Sequence, residues 1–244
     1  MATSCGLKSL LTLMAFAIAN IIAFDLSAQP IAQRGSTPVA ALTRSSLSWT
    51  VEQTRGKVIV TTANGQSAFT AFADKRSDTE ETHYEIASLV GDVLSVRERS
   101  SWEGGAHPGH LSRLRTMRLT TRELDLPITA LFPERNVVAA LLRDTVVATA
   151  LKGAPVATLA ALIEAADGGC EIGFDELATS FAFHHIRGDQ VAIRFGLPHG
   201  CEAMRGRYTE IGIYLPIPPA LREALVQSQQ RRQLMQTTQS ARRR

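Results

Sequence analysis

Phe132-Pro133-Glu134-Arg135-Asn136-Val137-Val138-Ala139-Ala140-Leu141-Leu142, residues 132–142, is where the chain changes its period. Val137, Val138, Leu141, Leu142, Thr145, Val146 and Ala148 recur at helical spacing. Pro133 stands where a first-turn proline is tolerated, because the N–H it lacks would have no intrahelical partner. This spacing predicts one helix through Ala148. A second is expected over Val156 to Ala165, stopping at Gly168-Gly169. Glu176 to Ala178 adds at most one more turn.

On either side of this helical pair the pattern is that of strands. Upstream, Leu47 to Gln53 and Lys57 to Thr62 read as strands joined at Arg55-Gly56, and Asn64-Gly65 is a turn signal. Asp74 to Glu81 is too charged for a core element and reads as loop. Tyr84 to Leu89 and Val93 to Arg99 flank Gly91-Asp92 as a hairpin. Leu111 to Thr120 reads as a strand, although Arg113 and Arg115 fall on the same face as Leu111, Met117 and Leu119. Downstream, Ser180 to Ile186 and Gln190 to Leu197 alternate around Arg187-Gly188-Asp189. Phe181, Phe183 and His185 are expected on one face of the first, and Val191, Ile193, Phe195 and Leu197 on one face of the second. Tyr208 to Leu215 is a further strand, and Pro216, Pro218 and Pro219 close it and open a last helix through Leu221, Leu225 and Val226. Strands, helices, strands and a helix indicate an α+β fold: mostly antiparallel sheets, a helical pair in the middle and a C-terminal helix.

The N-terminus sets the compartment. Lys8 is the only charged side chain in the first eight residues, Ser9 to Phe24 carries none, and Asp25-Leu26-Ser27-Ala28 closes the run with small residues. That is the three-part pattern of a secretory signal, and the apolar run is short for a membrane span. Residues 1–28 are therefore expected to be a signal peptide and the protein periplasmic or secreted. Residues 29–46 read as a flexible leader, 47–122 as an N-terminal β-rich half, 123–227 as a C-terminal α+β half and 228–244 as a basic tail. In an oxidising compartment Cys170 and Cys201 are expected to pair, stabilising the fold by roughly 3–4 kcal/mol in the chain-entropy view. The net charge of +3 does not indicate nucleic acid: residues after Leu221 carry +5, leaving −2 for all that precedes. Such an Arg-rich tail suits peripheral contact with an anionic membrane surface or envelope polymer, or simply a solvated end.

The segment richest in unusual backbone is Trp102-Glu103-Gly104-Gly105-Ala106-His107-Pro108. Paired glycines and a His-Pro step fit neither strand nor helix. Trp102, Gly104, Gly105, His107 and His110 are the candidate binding residues. His107 and His110 are spaced as an HxxH metal pair would be on a helix, but Pro108-Gly109 opposes that helix and no nearby acidic pair completes a ligand set. No metal or cofactor is expected, and no residue is assigned as catalytic. His184 and His185 are adjacent on a strand, so their side chains are expected on opposite faces. Asp175-Glu176 is explained by helix-start chemistry, and no GxSxG, P-loop or dinucleotide fingerprint appears.

Tyr84 to Ser95, Gly104-Gly105-Ala106-His107-Pro108, a strand, and Leu131-Phe132 before a helix together resemble a known extracytoplasmic module. It is the module of the anti-sigma factor RsiV, also found beside the catalytic domain of the polysaccharide deacetylase PdaC. The order continues through Phe181-Ala182-Phe183, Val191 to Phe195, Gly200, Tyr208 to Pro216 and Leu221, so the likeness covers roughly Val51 to Val226. The resemblance implies an α+β module outside the cytoplasm, which in RsiV senses lysozyme and in PdaC accompanies a wall-modifying enzyme. With no sigma-binding segment before the signal and no deacetylase domain after it, the expectation is the module alone. It would be a non-catalytic binding module recognising an envelope protein (lysozyme-like) or a peptidoglycan-type polymer. The alternative is a small envelope hydrolase or polysaccharide deacetylase using His107 or His110.

Overall fold

The computed structural model describes residues 42–46, 48–103, 109–166, 169, 172–198 and 209–235. Its strands form three antiparallel sheets, with the helices between the second and third sheets and at the C-terminal end.

The first sheet is a meander of β1 (Leu42–Ser45), β2 (Trp49–Thr54), β3 (Lys57–Thr62) and β4 (Ala68–Ala73). Gly56, with φ +81°, makes the turn between β2 and β3, a backbone region that side-chain-bearing residues rarely occupy. The second sheet comprises β5 (Lys75–Arg76), β6 (Glu80–Val90), β7 (Val93–Trp102), β8 (Gly109–Arg118) and β9 (Glu123–Leu124). Along its strands Ile86, Leu94, Val96 and Met117 face Val51, Val58, Val60 and Phe72 of the first sheet, forming one apolar core. The same face carries a chain of alternating charge. Glu98, whose side chain is 6% exposed, accepts from Arg113 and Arg115; Arg113 also pairs with Glu176 at 2.5 Å and Arg115 with Asp125 at 2.6 Å. This is why two arginines alternate into an apolar face. Burial alone would lower both guanidinium pKa values, but Glu176 and Glu98 around Arg113, and Asp125 and Glu98 around Arg115, hold them above the ordinary arginine value.

The helical stretch contains α1 (Glu134–Leu141), α2 (Thr145–Leu151) and α3 (Leu159–Ala165). The single helix expected through Ala148 is thus divided. The Asp144 carboxylate accepts from Val146 N and Val147 N, capping a new helix start where the apolar period alone would have continued the old one. Likewise Thr158 caps α3, whose start lies three residues beyond the expected Val156. The third sheet is β10 (Phe181–Arg187), β11 (Gln190–Leu197) and β12 (Thr209–Pro216), followed by α4 (Pro219–Gln230), which Pro218-Pro219 opens as expected. Phe181, Phe183, Ile193 and Phe195, none solvent-exposed, pack with Val137, Leu141, Val147 and Leu162 into the larger core. Each buried phenylalanine stabilises the fold by roughly 1.5–3 kcal/mol.

Hydroxyls join the two sheet systems. Ser88, Ser95 and Thr116 form one fully buried row across β6, β7 and β8. Phe183 N donates to Ser88 Oγ at 3.2 Å and Thr116 Oγ1 donates to Phe181 O at 2.6 Å. Ser180 Oγ donates to Gly196 O and accepts from Leu114 N. The free edge of β10 is satisfied by side chains rather than by another strand.

Three expectations are corrected here. Leu42–Ser45, assigned to the leader, is paired with β2, and Arg44 is 4% exposed. Its guanidinium donates to Ile86 O, Ala87 O and Gln233 O, filling the bulge between Ile86 and Ser88. Burial pulls its pKa down to about 10, with Glu85 opposing the shift. The tail boundary at residue 228 falls inside α4, and Gln233, Leu234 and Met235 are at most 3% exposed. Finally, β4 follows Asn64-Gly65 in a stretch where no strand was expected.

Candidate functional site

The ladder between β7 and β8 determines where the sequence-selected residues go. Trp102 is opposite Gly109, and Ser101 is opposite His110. Neighbouring positions on a strand point to opposite faces, so Trp102 and His110 lie on different sides of the sheet. The structure therefore does not gather them into one site. Trp102 packs against bare backbone, since a Cβ on Gly109 would lie 2.1 Å from Trp102 Cε2 and the indole occupies the space a side chain would need. His110 is exposed and, among the described residues, has neither a hydrogen-bond nor an ion-pair partner. Gly104, Gly105 and His107 lie outside the described residues, as do Cys170 and Cys201. Asp175 and Glu176 do not act as a carboxylate pair, since Glu176 is engaged by Arg113. In Arg187-Gly188-Asp189, Gly188 has φ +59° and Asp189 pairs with Arg222; the turn explains that tripeptide.

A different constellation occurs on the outer face of the third sheet. The β10–β11 register slips between Phe183 and His185. A one-residue bulge of this kind resets which side chains point inward. Phe183 opposes Ile193 and Ile186 opposes Val191, while His185 opposes Ala192. The bulge therefore puts Ile186 on the core side and moves His185 away from Phe181 and Phe183. This corrects both histidine expectations. His184 and His185 do not diverge: their Nδ1 atoms are 2.7 Å apart and their ring centroids 4.9 Å apart. The other His185 nitrogen, Nε2, lies 3.2 Å from Tyr214 Oη on β12.

Arginines surround this group. Arg194, from β11, lies against Gly212, where a Cβ would come 2.7 Å from its Nη1. Arg187 stands over the Tyr214 ring at 5.6 Å. Glu210 is the acid on this face and pairs with Arg97 at 2.5 Å. Burial, then Arg194, then His185 push the His184 pKa down to about 4, against an opposing pull from Glu210. Burial, Arg194 and Arg187 lower His185 as well. Both imidazoles are therefore neutral at neutral pH. Beside them an open cleft of about 450 Å³ is lined by Tyr214, Gly212, Gln190, Arg143, Asp144 and Thr145. Tyr214 is 37% exposed and belongs to both the histidine pair and the cleft wall.

The arrangement can stack a planar or sugar-like face on Tyr214 and donate hydrogen bonds from arginine and glutamine. Among the described residues no group of three or more His, Cys, Asp or Glu side chains converges as a metal site would require. Nor, among the described residues, is any helix long and apolar enough to cross a membrane. The sequence did carry one signal for this site. The alternation Phe181, Phe183 resumes at Ile186 instead of residue 185, and that slip marks a bulge at the histidine doublet. No known protein family, curated protein or solved structure matches this chain.

Proposed function

We propose that the protein is an exported, non-catalytic binding module of the bacterial cell envelope, and that it recognises a peptidoglycan-type ligand. The observation supporting this most is the cleft beside Tyr214. A cleft that combines the exposed Tyr214 with Arg143, Asp144, Thr145 and Gln190 suits a hydroxyl-rich ligand, which both donors and acceptors can hold. Export rests on the signal pattern of residues 1–28, and the likeness to the RsiV and PdaC module points to the same compartment. His110, exposed and facing away from Trp102, lends no support to the alternative of a hydrolase or deacetylase built on it.

Sedimentation with insoluble peptidoglycan, in parallel with capture on immobilised lysozyme, tests the reading. Retention by peptidoglycan that is lost in Tyr214→Ala is the expected result. Retention by lysozyme alone would replace the polymer with a protein ligand. Release of soluble wall fragments, abolished by His107→Ala, would make the protein an enzyme and overturn the proposal.

A further inference from the structure

We infer that Arg194, His184, His185 and Tyr214 form an oxyanion-binding subsite, which takes a carboxylate or phosphate group of the ligand onto the outer face of the β10–β12 sheet. The inference rests on reading this face as the binding face, not on the identity of the polymer. Arg194 is the anchor. It is partly buried, it lies against the bare backbone of Gly212, and among the described residues it has no hydrogen-bond or ion-pair partner. Glu210 cannot serve it fully, because that carboxylate is engaged by Arg97. A partly desolvated guanidinium with open donors is a ready receptor for a bidentate oxyanion.

The histidine pair supplies the second half. Tyr214 Oη, His185 Nε2, His185 Nδ1 and His184 Nδ1 form one continuous hydrogen-bonded chain. Such a chain can run in either direction, since each neutral imidazole has one donor and one acceptor nitrogen. If Tyr214 donates into it, the chain ends in a free His184 Nε2–H donor. An anion beside Arg194 selects that direction. A cation is the wrong ligand: the two Nδ1 atoms already bond each other, and Arg194 and Arg187 both repel positive charge.

Proton and anion are then linked. The charged groups facing the pair are Arg187 on β10, Arg194 on β11, and Glu210 on β12 with Arg97 behind it. A bound anion offsets the repulsion from Arg194, so it favours protonation of the imidazoles. By reciprocity, protonation strengthens anion binding. Affinity for an anion that keeps its charge should rise as pH falls toward 4, by up to about tenfold per pH unit where His184 titrates.

Imidazole ¹⁵N NMR of the full chain, recorded against pH with acetate, with inorganic phosphate and with chloride as control, tests this. The expected result is an upward shift of the His184 midpoint with an oxyanion, absent in Arg194→Met and smaller in Arg194→Lys. A shift with acetate identifies a carboxylate ligand; a shift with phosphate alone identifies a phosphoryl group. No movement with either anion, or equal movement in Arg194→Met shown to be folded by circular dichroism, would overturn the inference. Because the probes are inorganic phosphate and acetate, the outcome is separate from whether peptidoglycan sediments the protein.

Discussion

Two clusters in this molecule place arginines beside titratable groups, and they differ in how the charges are matched. Around Glu98 every charge has a counterpart, in the order Glu176, Arg113, Glu98, Arg115, Asp125. Around Arg194 they are not matched: Glu210 is engaged by Arg97, and the nearest remaining groups are neutral imidazoles and Arg187. A charge chain closed around the buried Glu98 ties β7 and β8 to the turn before β10, with each arginine already held between two carboxylates. Arg194 is partly buried like Arg113 and Arg115, but its donors are left open, which leaves binding capacity unused by the fold. Matched charge marks architecture here, and unmatched charge marks the proposed site.

That contrast has measurable consequences. Among the substitutions Glu98→Ala should have the largest effect, about 3 kcal/mol of lost stability in urea denaturation, because two partly buried arginines lose their shared carboxylate and keep only Glu176 and Asp125. Gly109→Ala should cost about 1–3 kcal/mol and alter Trp102 fluorescence, since the new Cβ and the indole cannot share one space. Ser88→Ala should cost about 1 kcal/mol, the net worth of the hydrogen bond that holds Phe183 N. Arg194→Met, in the unmatched cluster, should leave stability within about 0.5 kcal/mol while weakening ligand retention. If Arg194→Met instead destabilised the fold as strongly as Glu98→Ala, the distinction between the two clusters would collapse.

A separate effect is in pH dependence. The folded-state pKa of His184 is depressed to about 4 from 6.5. Between those values the unfolded chain takes up a proton that the folded one does not, so stability falls as pH drops through that window. His184→Gln should flatten this decline. An unchanged pH profile in that variant would show that the imidazole is not held neutral by its surroundings.

Much of the fold was legible because alternation and helical period are strong signals when one face is apolar. The strands from Tyr84 to Arg99 and from Gln190 to Leu197, the switch at Phe132-Pro133 and the proline-opened last helix all lie where the pattern puts them. What escaped were features that depend on partners far along the chain. Leu234 and Met235 are an isolated apolar pair in a polar stretch, and their burial follows from Gln233 O accepting from Arg44 and from Leu89 N. Asp144 divides a helix because a local cap outcompetes a continuing apolar stripe. The candidate site was hidden for a similar reason. The glycine-rich segment is conspicuous in sequence, yet its described flanks separate Trp102 from His110. The histidine doublet looks like ordinary strand until the bulge turns both rings together.

Amide chemical-shift mapping of the ¹⁵N-labelled protein with soluble peptidoglycan fragments decides whether the unmatched face is the binding face. The largest changes are expected at Gly212, Tyr214, Gln190 and Arg143, around the cleft and the histidine pair. Changes confined to Ser101, Trp102, Gly109 and His110, with the β10–β12 face silent, would place the binding face elsewhere.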